Sequence, residues 1–255
     1  MTRYGTIIGT GRYVPEAVHT NDMLKAQVSR ANPDLAKVVD AFQESSGIRA
    51  RRLAPREWAA SDLAVRAAQA ALDKAGIRAD QVDMILLGTD TPDYITPATS
   101  TVVQHKLGAV NAGTYDIGCA CASFPTGIAT AAGLLATNPW MRYVLVIGVY
   151  MMSKLADPAD VTSFFYSDGA GAAVLAAADQ PGFLSSAYLA DGAYHAHWGL
   201  YSGGTFEPAT VESVQAGRTQ VRLLQRYPPD VNHINWPKIA RLLAERGGFG
   251  VQEID

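Results

Sequence analysis

The chain has 255 residues, of which 48% are hydrophobic and 18% charged, with a formal net charge of -3. That composition can bury a sizeable core and excludes a disordered tail, a fibre or a small disulfide-stapled protein. The slightly negative balance offers no broad basic surface, which argues against nucleic acid as a partner.

The two cysteines, Cys119 and Cys121, are awkwardly spaced for a disulfide with each other, so a reduced, cytoplasmic setting is expected. The first residues, Met1 to Gly5, lack the basic, apolar and small-residue pattern of a secretory leader. Thr6 to Gly11 reads as a short strand ending in Gly9-Thr-Gly11. Val14 takes the sixth place of a Gly-x-Gly-x-x-Gly motif and Pro15 follows, so the segment reads as a strand-to-loop turn, not a dinucleotide loop. A polar, helix-prone region from Asn21 to Glu44 leads into the basic cluster Gly47-Ile-Arg-Ala-Arg-Arg52, extended by Arg56.

Ser61 is predicted to cap a helix that runs to Ala75 and ends at Gly76. Its face of Ala64, Ala67, Ala68, Ala71, Leu72 and Ala75 suits close packing on a sheet. Val82 to Gly88 is a short apolar run of the kind buried on both sides, followed by a helix from about Ala98 to Leu107. Thr114 to Gly118 is strand-like, Phe124 to Thr137 a helix rich in Ala and Gly, and Tyr143 to Val149 another apolar strand. A further strand, entered through small residues, lies within Phe164 to Leu175. Strands alternating with helices in this way predict an α/β fold around a mostly buried sheet. The longest apolar stretches, Gly127 to Ala136 and Val144 to Met152, fall short of the ~18 to 20 residues of a membrane span, so none is expected.

Slid by 172 residues, Ala71 to Asp83 lies without gaps over Leu243 to Asp255. The two share a helix end, a glycine, a polar turn and an aliphatic-acid pair, although identity is thin and two amphipathic helix ends can match by chance. We read two similar halves, residues 1–176 and 177–255, the second stopping where its strand would begin.

Cys121 stands between a strand and a helix in Asp116-Ile-Gly-Cys-Ala-Cys-Ala-Ser-Phe124, with small neighbours that let a substrate approach. The partial positive charge of a helix N-terminus favours a thiolate there, although a free cysteine taken alone is more often an inert buried hydrophobe. Cys119-x-Cys121 and His195-x-His197 lack the usual spacing of zinc clamps, so no metal site is expected. His19, His105 and His233 are lone histidines. The arginines at 49, 51, 52 and 56 could meet a phosphopantetheine or an acidic carrier, with a solvated or structurally paired face as the simpler reading.

Three segments in this order resemble the thiolase-fold condensing enzymes, and most closely their beta-ketoacyl-acyl-carrier-protein synthase III family. They are Thr6-Ile-Ile-Gly-Thr-Gly-Arg-Tyr-Val-Pro-Glu16, Gly47-Ile-Arg-Ala-Arg-Arg52 and Ser167-Asp-Gly-Ala-Gly-Ala-Ala-Val-Leu175. The resemblance implies a thiolase-like layered α/β fold of two halves, the second incomplete, and a homodimer. It implies that Cys121 accepts an acyl group from acyl-coenzyme A or acyl carrier protein, for attack by a malonyl thioester in fatty acid or related synthesis. No metal or redox cofactor is implied. Ser123 stands where the family has glycine, and Ser123, Phe124 and Thr96 fall at substrate-binding positions.

The residues that sandwich coenzyme A's adenine in the family fall on Ala41 and Ser45, leaving coenzyme A and carrier-protein donors both open. Thr96, smaller than the phenylalanine of short-chain members, suggests a longer acyl chain. The family's later histidine and asparagine come after the repeated Ile-Asp pair, so a polypeptide ending at Asp255 is expected to accept an acyl group without completing condensation. His233, expected to precede a helix from Pro237 to Arg246, takes no catalytic role. The alternatives are a non-catalytic partner subunit of the same fold and an acyltransferase to an oxygen or nitrogen acceptor.

Overall fold

The structure, a computed structural model, describes residues 3–254. Met1, Thr2 and Asp255, the first two in the segment read for a leader and the last closing the second repeat copy, lie outside the described residues. The chain divides into two compact units at Gln180/Pro181.

In the first unit, β1 (Tyr4–Tyr13) is followed by a two-stranded ribbon of β2 (Ala17–Thr20) and β3 (Ala50–Leu53), with α1 (Asn21–Val28) and α2 (Leu35–Ser46) between those strands. The polar region read as helix-prone is thus two helices. Then come α3 (Ala60–Ala75), β4 (Met84–Gly88), α4 (Thr99–Leu107), β5 (Gly113–Ile117), α5 (Ser123–Thr137), β6 (Tyr143–Tyr150) and β7 (Gly169–Ala178). Five of these strands form one mixed sheet in the order β1-β7-β6-β4-β5, with β4, β5 and β6 parallel and β7 antiparallel to both its neighbours.

The apolar strands read as buried on both sides are so because alternate residues face opposite ways. Ile85, Leu87, Leu145, Ile147 and Val174 pack with α3 and Val103 of α4. Leu86, Val144, Val146 and Leu175 pack with Ala131 and Leu135 of α5. The sheet therefore lies between two helical layers. Each such Leu, Ile or Val side chain contributes about 1.5–3 kcal/mol on burial.

The Gly9-Thr-Gly11 segment serves this packing. β1 continues to Tyr13, and a Cβ on Gly11 would lie 2.3 Å from the Ala67 carbonyl oxygen and 2.3 Å from the Ala71 nitrogen of α3. Helix and strand touch backbone to backbone because alanine faces glycine.

Ser61 does not cap α3. The helix begins at Ala60, and its first turn is closed by Asp62, whose Oδ2 accepts the Ala59 N–H at 2.8 Å. The Ser61 hydroxyl accepts a hydrogen bond from Lys106 of α4 at 2.7 Å, and Lys106 also pairs with Asp62 at 2.8 Å. Burial of Asp62 acts to raise its pKa, but Lys106 and the Ala59 N–H outweigh it and hold the carboxyl below its ordinary value.

Among the described residues one helical run, Ala120–Thr137, reaches 18 residues and is apolar enough to cross a bilayer by length and composition, longer than the sequence reading allowed. A core helix passes the same measure. Its Gly127, Ala131, Ala132 and Leu135 are buried, and a Cβ on Gly127 would lie 2.8 Å from Val146 of β6.

In the second unit, β8 (Trp198–Gly199) pairs antiparallel with β9 (Arg222–Leu223), and α6 (Val211–Gln215) lies between them in sequence. The last helix, α7 (Val231–Gly247), begins before the expected start at Pro237, so His233 sits inside it. Pro237 supplies no N–H for a bond to the His233 carbonyl, which is why a proline inside the segment reads as a boundary.

The repeat is visible in the backbone. Gly76 ends α3 with φ 69° and ψ 28°, and Gly248, 172 residues later, ends α7 with φ 70° and ψ 30°. The Ile77 N–H bonds to Leu72 O, as the Phe249 N–H does to Ala244 O. A single 3-10 turn follows in each, Ala79–Gln81 and Val251–Glu253. The Gln81 side chain accepts the Arg78 N–H, and the Glu253 side chain accepts the Gly250 N–H. The bonds of the helix end and of the turn thus match in two segments with little residue identity.

Two outcomes are expected. Gly11→Ala forces β1 from α3 and costs at least about 1–3 kcal/mol, read as a lower urea midpoint. Because the Asp62 carboxyl is depressed in the folded state, its contribution is complete above the ordinary carboxylate range and fades as pH falls through the folded value. The stability gap between wild type and Asp62→Asn, about 1 kcal/mol near neutrality, should therefore close in acid.

Candidate active site

Three neighbouring strands carry glycines in register. Gly88 of β4 pairs with Gly148 of β6, and Gly148 with Gly171 of β7. These positions lie at the carboxyl ends of the parallel strands, where an open α/β sheet forms its crevice. A Cβ on Gly88 would lie 2.5 Å from the Ser123 Cβ, and one on Gly148 3.2 Å from the Phe124 ring. The bare glycines let the first turn of α5 settle onto the strand ends. At Gly171 a Cβ would meet nothing within 4 Å, because the space above it belongs to a cavity of about 470 Å³.

Cys121 opens onto this cavity from the short turn Ala120–Ala122 that joins β5 to α5. It is exposed and has no disulfide partner. It stands two residues before Ser123, at the positive end of α5. Ala120 has φ 51°, a left-handed conformation that costs a residue with a side chain roughly 1–2 kcal/mol. The carboxylate of Asp90 accepts the Ala120 N–H and supports that turn. Burial pushes Asp90 above the usual carboxylate range, partly opposed by this bond.

Tyr150 also lines the cavity. Its hydroxyl is held strongly toward the protonated form, first by burial and then by the negative charge that Tyr166, Asp90, Cys121 and Asp168 carry or acquire. The site thus presents a thiol, a half-buried carboxyl and a protonated phenol around one space: a nucleophile, a proton acceptor and a hydrogen-bond donor.

Of the residues expected at the site, Cys121, Ser123 and Phe124 come together at the cavity. Ser123 is buried, and its Oγ accepts the Cys119 N–H at 3.0 Å, so it braces the turn. Thr96 is not among the lining residues; it lies on an exposed loop, in a cis bond to Pro97. Sequence reasoning missed Asp90, just past the end of β4, and Tyr150, the last residue of β6, whose only signal was that they follow the apolar runs Leu86-Leu-Gly88 and Ile147-Gly-Val149.

Asp168, in the Asp-Gly-Ala-Gly motif, is a brace: its carboxylate accepts the Ala54 N–H at 2.8 Å and the Ser153 hydroxyl at 2.6 Å. The second unit has a separate apolar cavity of about 460 Å³, with His195, Tyr201 and Phe206 among its walls and no cysteine or serine. Among the described residues no three His, Cys, Asp or Glu side chains form a group that could hold a metal.

Fold and site together define a thiolase-like α/β protein. Residues 115–192 match the model of the 3-oxoacyl-[acyl-carrier-protein] synthase III family. A beta-ketoacyl-[acyl-carrier-protein] synthase III of Xanthomonas oryzae is 38% identical over 194 residues, covering 74% of this chain and 56% of that protein. The chain thus spans little more than half the length of that curated relative. A crystal structure of a 3-oxoacyl-(acyl-carrier-protein) synthase III superposes with a TM-score of 0.85 at 27% identity, covering 99% of this chain and 77% of the other. The synthase III of Aquifex aeolicus gives 0.79 at 26% identity, covering 98% and 74%. The likeness to thiolase-fold condensing enzymes of the synthase III type, implied by the motifs, is found in sequence and in structure alike.

Asp90→Ala removes the acceptor of the Ala120 N–H, which lies in an exposed turn, and costs about 0.5–1.5 kcal/mol. Asp90→Asn keeps an acceptor. Because burial raises Asp90 in the folded state, the ionised form is the disfavoured one, so Asp90→Asn should equal or exceed wild type at neutral pH. Any gain should vanish below the ordinary carboxylate range, in urea titrations at the two pH values.

Proposed function

We propose that the chain is an acyltransferase of the beta-ketoacyl-acyl-carrier-protein synthase III type, in which Cys121 accepts an acyl group from acyl-coenzyme A or acyl carrier protein. The observation that carries this reading is the exposed Cys121 at the positive end of α5, facing a cavity floored by glycines. The Sγ thiolate attacks the thioester carbonyl carbon, the new C–S bond forms as the donor's C–S bond breaks, and the donor leaves as a thiol after taking up the proton. In the complete reaction a malonyl thioester loses carbon dioxide, and its carbon displaces Sγ from the acyl carbonyl. These are electron-pair steps at carbon and sulfur that call for no redox carrier. The pathway served is fatty acid or related lipid or polyketide synthesis.

A homodimer fits the open side of β5, an edge strand with Tyr115 exposed. Thr96, beside the exposed Tyr94 and Ile95, would then approach the partner's acyl pocket, where its small size leaves room for a longer chain.

The test is intact mass with peptide mapping after incubation with medium-chain and long-chain acyl-coenzyme A and with acyl carrier protein loaded likewise. A single acyl adduct on Cys121, lost in Cys121→Ser and kept in Cys119→Ser, is the expected result. No adduct on Cys121 from any donor would overturn the proposal and favour a non-catalytic partner subunit.

A further inference from the structure

Two polar groups in the Cys121 cavity take no part in the loading of that thiol. Gly88 and Gly148 are register partners on adjacent parallel strands, and Asp90 and Tyr150 each follow their glycine by two residues. Alternation places both on the glycine face, and both line the cavity.

The Ala120 N–H occupies part of the Asp90 carboxyl, which has capacity for a further donor. Among the described residues no lysine, arginine or histidine lines the cavity, so no cation there answers the charge. Tyr150 stands within electrostatic reach of Asp90 and Cys121, and its hydroxyl stays protonated, a donor. The other polar walls are engaged within the protein: Thr89 Oγ1 accepts the Thr91 N–H at 3.0 Å, and Ser123 Oγ the Cys119 N–H at 3.0 Å. Phe124, Val149, Phe165 and Ala170 make much of the rest apolar.

An acyl chain that fills this space displaces water from the carboxyl and the phenol. A plain hydrocarbon chain replaces none of the lost hydrogen bonds, and each polar group left unpaired weakens binding. A hydroxyl both donates and accepts, so it can serve Asp90 and Tyr150 at once, whereas an ammonium group offers Tyr150 no acceptor. Asp90 bonds to the residue beside Cys121, which sets the point of recognition close to the thioester carbonyl.

We propose that Asp90 and Tyr150 select an acyl group bearing a hydroxyl on its second or third carbon, Asp90 accepting from that hydroxyl and Tyr150 donating to it. This selection rests on the reading of Cys121 as the acyl acceptor.

The experiment incubates the full chain with pantetheine thioesters of one chain length: plain, hydroxylated on the second carbon, hydroxylated on the third, and aminated on the third. The rate of acyl mass gain on Cys121 is followed by intact mass with peptide mapping. One of the hydroxyacyl donors should load at least about tenfold faster than the plain one. Asp90→Asn keeps an acceptor for the Ala120 N–H but turns amide N–H groups toward the cavity, so it should bring that ratio near one. Tyr150→Phe should lower it severalfold. The wild-type ratio decides even where a variant fails to fold: equal loading from plain and hydroxyacyl donors, or fastest loading from the amino donor, would overturn the selection and leave acyl transfer standing. An undiminished ratio in a folded Asp90→Asn would do the same. No adduct on Cys121 from any donor would overturn the reading of Cys121 itself, and the selection with it.

Discussion

Cys121 is placed by the absence of side chains beneath it. Gly88 and Gly148 stand in register on adjacent parallel strands, and the first turn of α5 rests where their Cβ atoms would be. A methyl group at either would meet Ser123 or Phe124 and lift the helix start away from the strand ends. Gly171 continues the row but faces empty space, so the same feature that seats the helix keeps the cavity open beside it. Close packing and an accessible thiol follow from one constraint.

The other face of the sheet is held by a similar economy of volume. α3 turns alanines toward Gly9 and Gly11 of β1, while larger residues such as Leu63 and Leu72 fill the layer around them. Core density depends on such pairing of small with large residues. Because alternate residues of β4, β6 and β7 enter opposite layers, neither helical face can slip in register without moving the other.

Several aspartates have backbone duties. Asp83 accepts the N–H groups of Arg142 and Tyr143, Asp116 those of Thr99 and Ser100, and Asp168 those of Ala54 and Ser153. Each ties a loop or helix start to a strand end and so satisfies donors that a buried turn would leave unpaired. Asp90 shares this duty through Ala120 but also faces the cavity, which joins the support of the turn to the electrostatics of the site.

The sequence by itself determined the alternation of strands and helices, the two-sided burial of the central strands and the position of Cys121 between strand and helix. These are local matters of apolar period, turn residues and chain order, which survive without knowledge of contacts. The repeated helix end was also legible, although only faintly, because a left-handed glycine and a side chain that accepts a turn N–H constrain few residue identities. Tertiary structure alone decided that Ser61 serves Lys106 while Asp62 closes the first turn of α3. It decided that α7 runs through Pro237, and that Arg51 leaves the basic cluster for the interior while Arg49 and Arg52 remain exposed. It also brought Asp90 and Tyr150 to the thiol. Those outcomes depend on which distant groups meet, and such meetings depend on packing in three dimensions, to which the spacing of residues along a chain gives no direct access.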